Sequence, residues 1–307
     1  GGHPVDLVSG AVVDEAVDLE LPGRIPLVFK RSYSSARSGD RTSTMGPGWA
    51  HGFDMWVTEE SKCFSLRDPE GRFIYFEKVA VGGSTFHRRE RLTLHREGEL
   101  DFRIVDHKTD HVARFRPLVA GGAAAVRSIE DPWGNALRFE YDEGWLRSVF
   151  DTAGREVRVL FRGGRLVRLE VVVAGACERW VDYEYTDAGL LSAAIDALGH
   201  AAEYEYDGHG RMVATQTKQG ARFQYTYDGD TGRCSRTWGP KGLYAIDLEY
   251  DFAARQTRVL GEESRIIDWS DIPGLAARES LLDGTVLEEA AWDSDGYRIA
   301  IVNGEGE

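Results

Sequence analysis

Self-similarity at a step near 21 residues limits what this chain can fold into more than any other feature. An alternating aromatic segment ending in Tyr-Asp or a close variant recurs as Phe139-Glu140-Tyr141-Asp142, Tyr183-Glu184-Tyr185-Thr186-Asp187, Tyr204-Glu205-Tyr206-Asp207, Phe223-Gln224-Tyr225-Thr226-Tyr227-Asp228 and Glu249-Tyr250-Asp251. From Tyr185 to Tyr206 is 21 residues, from Tyr206 to Tyr227 another 21, and from Tyr227 to Tyr250 it is 23. Glycine follows closely each time, at Gly144, Gly189, Gly210 and Gly232 for the first four. A second mark, Asp-x-x-Gly, appears at Asp68 and Gly71, Asp131 and Gly134, Asp151 and Gly154, and Asp196 and Gly199. Aspartate opening a tight turn can accept amides ahead of it, and glycine tolerates positive φ at the fourth position.

Period-two alternation places Phe139 and Tyr141 on one face and Glu140 on the other, and Phe223, Tyr225 and Tyr227 opposite Gln224 and Thr226. Such a strand is half-buried. One hairpin of this kind is marginal in water, so successive hairpins are expected to pair into an antiparallel sheet that twists and coils. A β-propeller repeats at about 40 to 45 residues, so two of these units would fill one blade; the shorter step fits two strands per repeat better. No stretch keeps apolar residues at helical spacing between caps at both ends.

Composition agrees. Gly numbers 35, Pro only 9, and aromatic residues make up 11%, which suits short strands joined by glycine turns. With 42% hydrophobic and 29% charged residues and no long apolar run, a membrane span is not expected. A formal charge of −14 opposes phosphate backbones, so nucleic acid is not an expected partner; basic clusters at Arg24, Lys30, Arg31, Arg37 and Arg41 and at Arg88, Arg89, Arg91 and Arg96 read as solvated faces and hairpin tips. Cys63, Cys177 and Cys234 are odd in number and far apart, signalling neither a disulfide framework nor zinc. The opening Gly1-Gly2-His3-Pro4 reads as that of a fragment or processed piece.

Ahead of the repeats stand, in order, Pro4-Val5-Asp6, Ser9-Gly10, Leu21-Pro22-Gly23, Pro26-Leu27, Arg31-Ser32-Tyr33-Ser34-Ser35 and Gly46-Pro47-Gly48-Trp49-Ala50-His51. Blocks of this kind followed by Tyr-Asp repeats resemble the Rhs (rearrangement hotspot) family of YD-repeat proteins, most clearly over residues 4–76 and 129–260. The resemblance implies an all-β fold, an antiparallel strip that spirals as part of a hollow shell. In bacterial members that shell encloses a C-terminal toxin before delivery, often by type VI secretion. It divides the chain into an N-terminal β segment (1–76), a looser β region (77–128) with residues 121–125 as a loop, YD repeats (129–260) and degenerate repeats (261–307), where Trp292-Asp293-Ser294-Asp295-Gly296 still resembles a strand and turn. The aspartyl autoprotease motif of the family has no match after residue 260.

The resemblance further implies that the chain is a non-catalytic structural segment, with the remaining shell and the enclosed toxin as partners, together with a secretion spike or chaperone. Its expected location is the bacterial cytoplasm before export, after which it is secreted or delivered to a target cell. A carbohydrate-binding or adhesion module built on the same repeats is the alternative.

Sharper chemistry is weaker. His107 and His111 stand four apart, but on a strand that is about 13 Å, too far to share a metal, and the pair reads as a hairpin tip. Trp49, His51 and Asp54 form the most enzyme-like cluster, yet no Ser or Cys nucleophile at a strained turn accompanies them, and packing is the expected role. Carboxylates paired across a cleft for glycoside hydrolysis are not signalled, because Asp131, Asp151 and Asp196 recur at turn spacing. Gly82-Gly83-Ser84-Thr85 lacks the lysine of a phosphate loop. No catalytic residue, cofactor or metal is expected.

Overall fold

The structure, a computed structural model, describes residues 4–304. Among them the regular elements are antiparallel β-strands and two single-turn 3-10 helices, Ser35–Arg37 and Pro240–Gly242. The all-β, antiparallel architecture is the one the repeat pattern predicts. The chain divides into two compact units: a larger one of Glu15–Tyr33 and Gly39–Ala201, and a second one of the residues up to Asp14, Ser34–Ser38 and the residues from Ala202 onward.

The larger unit opens with a three-stranded sheet of β1 (Val13–Leu21), β2 (Leu27–Ser34) and β3 (Trp49–His51). Eight strands follow: β4 (Trp56–Glu59), β5 (Cys63–Arg67), β6 (Phe73–Glu77), β7 (Ser84–His87), β8 (Leu92–Arg96), β9 (Phe102–Asp106), β10 (His111–Pro117) and β11 (Ala124–Glu130). Each neighbours the next, and β11 returns to β4, with Ala124 opposite Val57 and Ala125 opposite Trp56. This ring leaves none of its strands as an open edge at the closure. Its alternation is plain in β6, where Ile74 and Phe76 are buried and Phe73, Tyr75 and Glu77 face out. Phe64 and Phe102 meet edge to face inside it, 5.1 Å between centroids. Residues 121–125, expected as a loop, are a tight turn only as far as 123; Ala124 and Ala125 enter β11 because their small side chains fit the closing pair.

From β11 the ladder continues through β12 (Ala136–Asp142), β13 (Trp145–Phe150), β14 (Glu156–Arg162), β15 (Arg165–Val173), β16 (Ala176–Tyr185) and β17 (Leu191–Asp196). Within this unit the apolar face of the strip is covered by the N-terminal sheet and the loop after it. Phe29 meets Tyr183 at 6.2 Å and Phe53 meets Phe139 at 5.8 Å, while Leu166 N–H donates to Thr44 O at 3.0 Å.

The second unit runs β18 (Ala201–Tyr206), β19 (Met212–Gln216), β20 (Arg222–Tyr227), β21 (Cys234–Trp238), β22 (Ile246–Asp251), β23 (Gln256–Leu260), β24 (Arg265–Trp269), β25 (Ala276–Leu281), β26 (Val286–Trp292) and β27 (Arg298–Asn303). Consecutive strands pair antiparallel in one ladder, with no grouping into four-stranded blades. Here the segment after Pro4 lies on the repeats: Cys234 N–H donates to Gly10 O at 2.8 Å, and Arg233 Nη1 to Val8 O at 2.9 Å.

Candidate functional site

The Asp-x-x-Gly turns share one geometry. At Asp131, Oδ1 accepts the amides of Trp133 and Asn135, both at 2.9 Å, Gly134 N–H returns to Asp131 O at 3.1 Å, and Asn135 Nδ2 donates to Oδ2 at 2.7 Å. Gly134 has φ +84, which an L side chain rarely adopts. Asp68, Asp151 and Asp196 do the same with Gly71, Gly154 and Gly199, their second oxygens facing Arg72, Arg155 and His200. Asp207 of a Tyr-Asp pair builds this same turn with His209, Gly210 and Arg211, so the two sequence marks are here one structure. Partial burial works against ionisation of Asp207, yet the amide and guanidinium of Arg211 and the amide of His209 hold its carboxyl below the ordinary value. Asp228 caps a turn one residue longer through Thr231, and Asp251 accepts the amide of Ala254. Asp142 differs: it ends a strand beside a two-residue turn in which Glu143 and Gly144 both have positive φ, and its carboxylate pairs with the exposed Arg147.

The hairpins ending in Tyr141, Tyr185, Tyr206 and Tyr227 carry a bulge opposite that tyrosine, whereas Tyr250 faces Thr257 in unbroken register. Glu205 faces Ala214 and Tyr206 faces Met212, leaving Val213 as the extra residue; Tyr141, Tyr185 and Tyr227 sit at equivalent shifts opposite Leu146, Leu191 and Cys234. The residue flanking the bulge is then claimed by the neighbouring strand of the next repeat. Tyr227 Oη donates to Met212 O at 2.6 Å, Tyr250 Oη to Cys234 O at 2.7 Å, and Tyr185 Oη to Leu166 O at 2.6 Å. Trp292 substitutes its indole, Nε1 donating to Ala276 O at 2.8 Å. The turn arginine adds a second link: Arg211, paired with Asp207 at 2.7 Å, lies 4.4 Å from the Tyr227 ring centroid, and Arg233 lies 4.9 Å from that of Tyr250.

The N-terminal block is drawn onto these hairpins and into the core. Pro4 O accepts Val13 N–H at 2.8 Å, Val5 bridges to Val12, and Asp6 Oδ1 collects the Ser9 amide and hydroxyl. Leu21-Pro22-Gly23 sits on the Asp151 turn, where Arg155 Nη2 donates to Pro22 O and a Cβ on Gly23 would stand 2.9 Å from Thr152 Oγ1. Arg31 and Asp18 form an ion pair at 2.6 Å with side chains 0% and 1% exposed; Tyr183 Oη donates to the same Asp18 oxygen at 2.9 Å, and the guanidinium lies 4.9 Å from the Trp49 ring. Tyr33 packs on Trp49 at 5.2 Å, beyond the turn in which Gly48 has φ +81.

His51 is buried and stacked on Phe29 at 5.0 Å. Its Nδ1 accepts the Phe53 amide at 3.3 Å; an amide can only donate, so the ring proton sits on Nε2, which donates to Thr44 Oγ1 at 2.9 Å. Burial, and then the charge of Arg67, lower its pKa to about 3, so the imidazole is neutral and both nitrogens are engaged. Arg67, at 0% exposure, donates from Nη1 to Asp40 Oδ2 and Thr42 Oγ1, each 3.2 Å, and covers the Trp56 ring at 4.6 Å. Asp54 Oδ2 stands 3.9 Å from Arg67 Nη2, and burial raises its pKa to about 6 against the opposing pull of Arg67. Both ring nitrogens of His51 are thus committed to Phe53 and Thr44. Sequence reasoning singled out His51 and Asp54 but missed Arg67, Asp40 and Asp18; the signal was an arginine inside an otherwise buried strand, as in Leu27–Ser34 and Cys63–Arg67.

His107 and His111 flank the β9–β10 turn, where Asp106 Oδ1 accepts the Lys108 amide and His107 Nε2 meets Thr93 Oγ1 at 2.8 Å. Among the described residues no three His, Cys, Asp or Glu side chains cluster as metal ligands, and no helix is long and apolar enough to cross a membrane. Cys63, Cys177 and Cys234 are free thiols, and burial pushes that of Cys234 up to about 12.

Two family models match the chain: a domain of unknown function (DUF6531) over residues 2–76, and the RHS repeat over residues 185–222. Double-stranded DNA deaminase toxin A of Burkholderia cenocepacia (strain H111) is 26% identical over 285 residues, covering 87% of this chain and 19% of that protein. Probable deoxyribonuclease RhsB of Dickeya dadantii (strain 3937) is 27% identical over 208 residues, 62% of this chain and 13% of that protein. The chain thus spans less than a fifth of the length of these curated relatives. Among solved structures, that of TcdB2-TccC3 aligns over 91% of this chain and 22% of its own, at 11% identity and a TM-score of 0.39. With residues 2–76 and 185–222 matched by these models, and with an Rhs-named relative aligned over 62% of its length, the chain resembles the Rhs family of YD-repeat proteins.

Proposed function

We propose that the chain is a non-catalytic structural segment of an Rhs-type polymorphic toxin, contributing to the β wall that encloses a C-terminal toxin until delivery. The observation that carries this reading is the link from one repeat to the next, in which the carbonyls of Leu166, Met212, Cys234 and Ala276 take the hydroxyl or indole of the following hairpin. A sheet coupled in this way is built to be extended strand by strand. The N-terminal segment covers the apolar face within each unit, as an end cap of such a wall would. The cargo partner is inferred from relatives named as a deaminase toxin and a deoxyribonuclease, whose remaining length lies outside the match. A spike or chaperone of a type VI apparatus, and a cytoplasmic stage before export, belong to the same proposal.

Limited proteolysis of the native polypeptide that carries this segment tests it. Enclosure predicts a C-terminal domain resistant to protease under native conditions and digested once the sheet is unfolded. A C-terminal domain digested at native rates, or micromolar glycan binding by the repeats with no shielded cargo, would favour the adhesion reading instead.

A further inference from the structure

The ring of β4 to β11 is filled at one end and hollow at the other. Phe64, Leu94, Phe102 and Phe115, at most 1% exposed, pack the filled end. An eight-stranded ring is just wide enough for side chains to fill or for one small ligand to enter. Along β10, His111, Ala113 and Phe115 alternate onto the inner face, and the packing stops between Phe115 and Ala113. Ala113 stands between Ile104 of β9 and Ile129 of β11, and its methyl is too short to cross the ring. A cavity of about 330 Å³ opens there, walled by Leu66, Ile74, Ile104 and Phe115.

Leu92, Ala113 and Ile129 line this space yet stay half-exposed, because water reaches them through the open end. Inward-facing aliphatic surface that folding leaves wet is what an apolar ligand covers. The mouth sets the polar end of that ligand. Arg72 donates to Asp68 at 2.8 Å and to Glu90 at 3.3 Å, Lys108 Nζ stands 3.8 Å from Glu90, and Asp106 accepts the Lys108 amide and the Thr109 hydroxyl. The two cations of the mouth thus face its own carboxylates, which number three. An entering anion would meet cations already paired and an excess of like charge, and desolvating it there is costly. The remaining polar side chain of the wall is His111, whose imidazole makes no hydrogen bond to the described residues and suits a hydroxyl as donor or acceptor. At roughly 30 Å³ per water, the space holds about eleven non-hydrogen atoms.

We propose that the open end of this ring binds one small uncharged alcohol with a compact hydrocarbon body, the body covering Leu92, Ala113 and Ile129 and the hydroxyl meeting the His111 imidazole. The site stands apart from enclosure and does not depend on it.

Calorimetric titration of the 307-residue chain with 2-naphthol at neutral pH tests the assignment, with 2-naphthoate as the anionic match. Saturable one-to-one binding of the alcohol is expected, about tenfold weaker for the carboxylate and about fivefold weaker in His111→Ala. Ala113→Phe, which puts a ring into the cavity, is expected to weaken binding by about tenfold or more. Circular dichroism verifies the fold of each variant, and should Ala113→Phe fail to fold, the alcohol-to-carboxylate ratio and His111→Ala decide. No saturable heat up to about 2 mM, carboxylate binding as tight as that of the alcohol, or wild-type affinity in a folded Ala113→Phe or His111→Ala would overturn it.

Discussion

At the scale of single residues, the most consequential groups are charges placed in an apolar interior with unequal compensation. The folded state disfavours ionised Asp54, whose pKa is raised to about 6, and protonated His51, whose pKa is lowered to about 3. Stability rises with pH wherever the unfolded chain holds more protons than the folded one. Between pH 3 and 6.5 the unfolded chain holds the extra proton at His51, so this residue costs stability as pH falls. Between pH 3.8 and 6 the folded chain holds it at Asp54, so this residue costs stability as pH rises. The two slopes oppose each other over nearly the same interval. Asp54→Asn is therefore expected to be more stable than wild type at pH 7.5, by on the order of 1–3 kcal/mol. That advantage shrinks as pH falls through about 6 toward 4, and urea midpoints at several pH values measure it. A variant less stable than wild type at pH 7.5 would show that Arg67 stabilises the Asp54 carboxylate more than burial penalises it. His51 and Asp54 were visible in the sequence as neighbours; the burial that sets their ionisation, and Arg67 beside them, arise from a strand pairing no local pattern encodes.

At the scale of the hairpin, periodicity revealed the turns and the buried faces but not what joins one repeat to the next. Alternation in Phe223–Tyr227 runs unbroken through the position where the register shifts, so the bulge leaves no trace in the strand's own pattern. The hydroxyl explains why tyrosine ends these strands where phenylalanine would pack as well. Tyr227→Phe keeps the ring against Arg211 but leaves Met212 O without its donor. The expected loss is about 1 kcal/mol, read as a lowered melting temperature with the β signature unchanged; a variant melting with wild type would remove the hydroxyl from the account. Trp292 shows that the requirement is a ring carrying a donor at its far end, which is why the sequence reads as degenerate after residue 260 while the hairpins persist.

At the scale of the whole chain, the repeat step was enough to give an all-β antiparallel ladder, because half-buried hairpins have little alternative to lateral pairing. The closed ring of β4 to β11 was not legible: its closing pair joins Trp56 and Val57 to Ala125 and Ala124 across residues without a repeat. The covering of the apolar face by residues 5–54 was foreshadowed only by the order of the family's blocks. On the far strand, β27 exposes Ile299 and Ile301, at 59% and 44%, on one face. A structure of the native polypeptide carrying this segment tests the central claim most directly. The account predicts further antiparallel strands alongside β27, linked by the same donor-to-carbonyl bond, in a wall surrounding a C-terminal domain. A bare β27 edge with that domain free in solvent would contradict it.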